Sequence, residues 1–165
     1  VDQHDGVALR AFGPQDEAAF AATRDDRQGR RFLPLIPGVS SDYTYVIVAG
    51  GADHPVGGIE LDHLLPGRGA AEVRFWVGPH ARRRGIATAA LRDLSERVFT
   101  GAAEIPRLHR VEILIHQDNP VAQRVALSAG YTREGERRGA LPNPAGGFDD
   151  ALVYARLAGD SGEPA

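Results

Sequence analysis

Residues 82–87 read Arg82-Arg83-Arg84-Gly85-Ile86-Ala87. They stand where a strand-like pattern, Ala71-Glu72-Val73-Arg74-Phe75-Trp76-Val77, gives way to a helical one running from Gly85 to Phe99. Three consecutive cations at a helix N-terminus oppose the roughly half positive charge that the helix dipole already places there. A polyanion docked on the free N–H groups of the first turn removes that conflict. Gly85 has no side chain, so such a ligand can approach the backbone closely. The stretch therefore points to a phosphate site, with Arg82, Arg83, Arg84, Gly85, Ile86, Ala87 and Thr88 as its candidate residues. A solvated arginine cluster serving solubility is the weaker reading, because the surrounding strand–turn–helix pattern is the context a phosphate loop requires.

Outward from this loop the pattern is regular. Ile86, Ala90, Leu94 and Val98 recur every four residues with Leu91 between them, one buried stripe of a helix expected over 81–99. Toward the N-terminus, 7–12 reads as a strand, and Gly13-Pro14 breaks it and opens a short helix with Asp16 and Glu17 in its first turn. Residues 24–41 are polar, broken by Pro34, Pro37 and Gly38, and expected to be irregular or briefly helical. Strands are expected over 43–48, 56–65 and 70–78. Toward the C-terminus, the apolar run 110–116 reads as a central strand. Asp118-Asn119-Pro120 then opens a helix that Gly130 closes. Strands over 131–138 and 149–157 flank a loop, 139–148, long enough to be functional. A disordered tail is expected over 158–165. The unit from 70 to 116 calls for a right-handed parallel crossover, and the short turns elsewhere for antiparallel neighbours. The expected fold is one α/β domain over 1–157, a mixed, mostly antiparallel sheet with a central parallel pair and about four helices.

Composition narrows the chemistry. The 165 residues suffice to bury a core, and no run of apolar residues is long enough for a membrane helix. The net charge of −3 argues against a general nucleic-acid binder, since the basic charge is local. There is no cysteine, which excludes disulfides, thiolate metal sites and a cysteine acyl-enzyme and is compatible with a cytoplasmic location. All 19 basic residues are arginine, so neither a Schiff-base lysine nor a Walker-type loop is available. The six histidines lack close ligand spacing, so no metal is expected, although His80 and His116 lie where a ligand could touch them.

Position by position, Arg82 to Ala87 resembles the Arg/Gln-x-x-Gly-x-Gly/Ala signature of the GNAT superfamily of N-acyltransferases, and the element order resembles that family from Val7 to Leu157. The resemblance implies that the two parallel strands splay, that acyl-CoA enters the gap with its pyrophosphate on the 82–88 loop, and that a backbone N–H near Trp76 or Val77 serves the oxyanion. Glu72-Val73-Arg74-Phe75-Trp76-Val77 looks like the Glu-Ile-Gly-Tyr-Trp-Leu strand of the RimJ/RimL-like branch, which acetylates protein N-termini. Asn119, followed by Gly130-Tyr131, resembles the family's Asn-x-x-Ser…Gly-Phe/Tyr pattern, whose Asn contacts the pantetheine arm or the substrate. Three positions depart from the branch: Ala122 stands for the Ser, Ala89 for a frequent Glu and Arg74 for a common Gly. The implied activity is direct transfer from acetyl-CoA to a primary amine, that of a protein N-terminus or a small molecule.

The catalytic roles stay open between alternatives. Glu72 is the candidate base, with a strand-end ion pair to Arg74 or Arg110 as its plain structural role. Glu112 on the next strand is its rival. Asn119 serves equally as a helix cap. Tyr131 is a candidate acid for the leaving thiolate, although an aromatic after a helix-ending Gly is more often core. Residues 31–42 and 139–148 are expected to shape the acceptor pocket. A non-catalytic acyl-CoA-binding sensor or interaction module, favoured by Ala122 and Ala89, is the rival function.

Overall fold

Strands β4 (Ala70–Val77) and β5 (Arg110–His116) are joined by helix α3 (Ile86–Thr100) and pair in parallel, the expected crossover. The computed structural model containing them describes residues 6–32, 41–102 and 104–160. Around this unit stand β1 (Ala8–Ala11), α1 (Glu17–Ala22), α2 (Arg27–Phe32), β2 (Tyr43–Val48), β3 (Gly57–Leu65), α4 (Pro120–Ser128), β6 (Thr132–Pro142) and β7 (Phe148–Leu157). The strands form one sheet in the order β1-β2-β3-β4-β5-β7-β6, antiparallel except at β4–β5. This is the mixed α/β fold that the sequence pattern called for.

The parallel ladder is short. It holds Ala70 to Arg110, Ala71 to Val111 and Glu72 to Glu112, and then stops, although both strands continue. The strands therefore part after Glu72. On one face of the sheet, Ile86, Ala90, Leu91, Leu94 and Val98 of α3 pack with Val73, Val111, Ile113 and Ile115 in the main core. On the other, Phe20 of α1 meets Phe12 and Trp76 edge-on, each at 5.0 Å between centroids. The Trp76 indole N–H donates to Thr23 Oγ1 at 2.9 Å. Gly58, paired with Trp76 across β3–β4, makes that packing possible, since a Cβ there would collide with the Trp76 and Phe20 rings.

Two boundaries differ from expectation. Helix α3 begins at Ile86 rather than near 81, because Arg83 (φ +64°) and Gly85 (φ +72°) adopt left-handed backbone that a helix cannot continue. The expected loop over 139–148 is mostly hairpin: β6 runs to Pro142 and β7 starts at Phe148, so only 143–147 turn. Asn143 and Gly147 close that turn by backbone bonding, with Gly146 and Gly147 at positive φ. Pro142 is tolerated because β6 is an edge strand. Residues 158–160 form a turn in which Asp160 accepts from the Leu157 N–H at 2.8 Å, and the remainder of the expected tail lies outside the described residues.

Trp76 is the only tryptophan, so its packing can be followed directly. Gly58→Ala should lower unfolding free energy by about 1–3 kcal/mol, the scale of overpacking. It should also red-shift the native fluorescence, as a denaturant titration read by emission will show.

Candidate active site

The 82–88 loop places its arginines ahead of the helix rather than within it. The first helical bond runs from the Ala89 N–H to the Gly85 carbonyl at 3.0 Å, which leaves the N–H groups of Ile86, Ala87 and Thr88 without helical acceptors. No atom lies within 4 Å of where a Gly85 Cβ would stand, so the approach to these donors is open. Arg83, left-handed and exposed, lines the cavity beside them, whereas Arg84 is exposed and does not.

Arg82 has a different task from the phosphate contact that its place in the motif suggested. Its Nη1 and Nη2 bond Asp26 at 2.7 and 3.1 Å, and its Nε donates to the Val77 carbonyl at 2.8 Å. Those bonds hold the Asp26 carboxyl below the usual range, with help from the Gly29 N–H. Arg82 thus fastens the start of α2 to the end of β4, and its guanidinium is committed before any ligand arrives. The groups left for an anion are the backbone donors and Arg83, with Arg124 of α4 on the same cavity.

That cavity, about 580 Å³, runs from the loop between α3 and α4 to α2. Phe75, Val77, Ile86, Val121 and Val125 give it apolar walls, and Arg24, Gln28, Phe32 and Trp76 belong to its α2 side. Val121, half exposed on α4, has its apolar side chain explained by this position. The space, the apolar walls and the open helix N-terminus fit a long phosphate-bearing thioester.

Strand alternation decides which backbone groups face the gap. The Gly78 N–H bonds Val56 of the β3 side, and the Gly69 carbonyl bonds Arg110 of β5. By period two, even-numbered residues of β4 bond toward β3, and odd ones face β5. Beyond Glu72, where the ladder has ended, Val73, Phe75 and Val77 turn their N–H groups to the gap. Of the two expected oxyanion donors, Val77 is the one so placed, while the Trp76 N–H turns toward β3. Phe75 was missed, although the alternation that finds it was readable in the sequence.

Asn119 is a cap and also lines the cavity. Its Oδ1 accepts from the Ala122 N–H at 3.2 Å, and the Ala122 methyl group lines the cavity where the family pattern has a hydroxyl. Tyr131 is not in the site. It is 3% exposed, shares a 2.7 Å bond with the buried Ser95 hydroxyl, and burial drives its phenol pKa upward, so the core reading prevails over the acid. His80 is exposed. His116 is buried with both nitrogens engaged: Nδ1 accepts from the Asp118 N–H at 3.1 Å, which assigns the ring proton to Nε2, facing Asp149 Oδ2 at 2.6 Å. His116 and Asn143 together hold the Asp149 carboxyl low, so the histidine pins the hairpin tip to β5 rather than serving as a free base. Of the segment expected to shape the pocket, 33–40 lie outside the described residues. No group of three His, Asp or Glu among the described residues could hold a metal, and no helix among them is long and apolar enough to cross a membrane.

The two candidate bases differ sharply. Glu72 and Glu112 face each other on the last rung. Glu112 accepts from Arg110 at 2.9 Å and Arg137 at 3.3 Å. Among the described residues, no arginine donates a hydrogen bond to Glu72. Arg74, its expected partner, bonds Glu60 at 2.9 Å and pairs with Asp62 at 3.2 Å. Its near neighbour is His63, with Nδ1 at 3.5 Å. Burial pushes the Glu72 carboxyl above its ordinary value, and His63 only partly opposes the shift.

A split sheet with a cavity along it, open to a helix N-terminus at one end, has the shape and the donors to suit a long anionic ligand. Residues 7–132 match the model of the acetyltransferase (GNAT) domain, and the chain belongs to that family. Over 106 residues it is 30% identical to the ribosomal-protein-serine acetyltransferase of Escherichia coli (strain K12), a match covering 64% of this chain and 56% of that protein. The chain thus spans little more than half the length of that curated relative. That likeness accords with the RimJ/RimL-like branch to which strand β4 pointed. Among solved structures, spermidine N-acetyltransferase from Vibrio cholerae, in complex with CoA and spermine, superposes with a TM-score of 0.78 at 17% identity, covering 93% of this chain and 96% of the other. The ribosomal-protein-S5-alanine acetyltransferase from Vibrio fischeri gives 0.77 at 15%, covering 97% of each. At these identities the structures establish the shared fold.

Two substitutions test the geometry. Gly85→Glu puts a carboxylate and a strained left-handed residue on the anion site, so CoA binding in a calorimetric titration should vanish while the fold persists. Asn119→Asp keeps the cap, because Asp caps as well as Asn. It deletes an N–H donor and adds charge to the cavity. Its melting temperature should stay within a few degrees of wild type, while CoA affinity or turnover falls; intact kinetics would reduce Asn119 to a cap.

Proposed function

We propose that the protein is an acetyl-CoA-dependent N-acetyltransferase that passes the acyl group directly to a primary amine of a protein N-terminus or a small molecule. The observation that carries the proposal is the end of the β4–β5 ladder at Glu72, which opens the sheet beside a helix N-terminus suited to pyrophosphate and leaves the Glu72 carboxylate on the last closed rung. The thioester, when bound, supplies the activated acyl carbon. The N–H groups of Ile86, Ala87 and Thr88 hold its pyrophosphate, and the side-chain amide of Asn119 meets the pantetheine arm. The Val77 N–H, held in place by the Arg82 bond to the Val77 carbonyl, faces the developing oxyanion.

Glu72 receives the proton of the attacking amine, directly or through water. Two features favour it over Glu112: freedom from arginine hydrogen bonds, and a carboxyl shifted toward the pH at which a base works best. With Tyr131 in the core and Ala122 without a hydroxyl, solvent in the open cavity protonates the leaving thiolate. The relatives' names support an amine acceptor, and the ribosomal substrate named for one of them supports a cytoplasmic setting.

Turnover settles the reading against a non-catalytic sensor. Acetyl-CoA consumption over a panel of amines and peptide N-termini should reveal at least one acceptor, whereas a sensor binds CoA and consumes none.

Glu72→Gln should cut turnover about 10²-fold or more with acetyl-CoA affinity nearly unchanged, while Glu112→Gln stays active. The wild-type rate should rise with pH through a value above that of an ordinary carboxylate, and the variant should lose that limb. Stability provides a separate sign. A carboxyl raised in the folded state contributes stability below its unfolded value and loses that contribution as pH rises through the folded one. At neutral pH, then, Glu72→Gln should be at least as stable as wild type in chemical denaturation, though far slower.

A further inference from the structure

The turn joining α1 to α2 places three side chains in sequence. Thr23 accepts from the Trp76 indole, Asp26 holds Arg82, and between them Arg24 lies with its guanidinium carbon 4.9 Å from the centroid of the Trp76 ring. Arg24 is half-buried and lines the cavity on its α2 side. Its backbone is fixed by Gly29, where any Cβ would strike the Arg24 carbonyl. This cation–π contact with Trp76 holds the guanidinium and leaves its N–H groups for another partner.

No carboxylate among the described residues fills that role. Glu60, the nearest acid in charge terms, is bonded by Arg74, and Asp26 is taken by Arg82. The segment 33–40, Leu-Pro-Leu-Ile-Pro-Gly-Val-Ser, contains no acidic residue. Burial works against the Arg24 charge and lowers its pKa, opposed only in part by Glu60. A half-buried cation held in one place, desolvated and facing a cavity is what a planar anion fits. The pyrophosphate donors belong to the first turn of α3, which packs on one face of the sheet, whereas Trp76 and α1 pack on the other.

We propose that Arg24, held over Trp76, is a carboxylate-binding subsite at the reacting end of the cavity, taking the distal carboxylate of a dicarboxylic acyl group or a carboxylate on the acceptor. The proposal rests on the acyl-transfer reading above. The chemistry is unchanged: the amine nitrogen bonds the thioester carbonyl carbon, the C–S bond breaks, the amine proton passes to Glu72, and the thiolate leaves and takes a proton from solvent. The carboxylate held by Arg24 does not react. It fixes the acyl chain or the amine, and so makes the enzyme selective for acidic partners.

The test has two arms. In the first, CoA, acetyl-CoA and succinyl-CoA are titrated calorimetrically into wild type, Arg24→Gln and Arg24→Lys. In the second, turnover with acetyl-CoA is compared for peptides with glutamate or glutamine at the second position. A subsite for the acyl group gives wild type about 10-fold tighter binding of succinyl-CoA than of acetyl-CoA, and one for the acceptor gives about 10-fold higher kcat/KM for the glutamate peptide, the scale of a charge-assisted hydrogen bond. In whichever arm it appears, the preference should fall to about one in Arg24→Gln and return in part in Arg24→Lys. Absence of preference in both arms, a preference that survives Arg24→Gln, or an equal loss of affinity for CoA itself overturns the proposal; the last outcome makes Arg24 a phosphate ligand. Failure of wild type to bind CoA at all overturns the acyl-transfer reading instead.

Discussion

The structure depends on a hydrogen-bond ladder that stops early. Two parallel strands that part after three rungs orphan the backbone groups of each that face the other beyond the break, and buried orphans are costly. The surrounding chain is arranged to satisfy some of them and to leave others for a ligand. Arg82 Nε takes the Val77 carbonyl, and the Asn119 N–H takes the His116 carbonyl at 2.9 Å. No strand partner takes the Phe75 and Val77 N–H groups that face the cavity. The split holds open because apolar residues of α3 and α4 pack beneath it while α1 and α2 cover the opposite face near Trp76.

Arg82 shows how one residue serves this constraint twice. Through Val77 it steadies the strand end that lines the cavity, and through Asp26 it sets the start of helix α2 on the cavity's other side. The 82–88 loop and the α2 wall of the cavity therefore share a fastening. A shift of the loop on ligand binding has a direct mechanical route to Arg24 and Phe32, through a pair that is partly shielded from water on both sides. The cost of three cations near a helix N-terminus also looks different. One is neutralised by Asp26, one sits by the open donors in a left-handed turn, and one points to solvent.

The sequence carried most of the architecture and less of the site. Strands 43–48 and 110–116 and the α3 stripe were legible because their hydrophobic periods are clean, and Gly130 announced the end of α4. The hairpin beyond Arg138 was not legible, because its pairing runs through Pro142 and two register shifts that weaken any alternation. The open helix N-terminus at the cavity could be read from Gly85 and its setting. Which arginine was already bonded could not, since Asp26 is 56 residues from Arg82 and nothing local links them. Tyr131 and Asn119 were each open to two readings. Packing decided the first through Ser95, and the second caps α4 while also lining the cavity.

Glu72 and Glu112 show why neighbouring identical residues end with different chemistry. They occupy the same rung and the same face, so local sequence treats them alike. The difference comes from the strands alongside. On the β5 side, Arg110 lies two residues away on the same strand and Arg137 reaches in from β6, so Glu112 is neutralised by two guanidinium groups. Arg110 is further bound by Glu134, which closes a structural network at the sheet's base. On the β4 side Arg74 is drawn across to Glu60 and Asp62 of β3, while Arg137 acts on Glu72 through its charge. Glu72 is left with a loosely placed histidine and a burial cost that raises its proton affinity. A surplus of acid on β3 thus diverts a cation that would otherwise quench the carboxylate beside the gap. Glu60 and Asp62 act on the setting of Glu72 by holding Arg74, while burial is the first cause of its raised proton affinity.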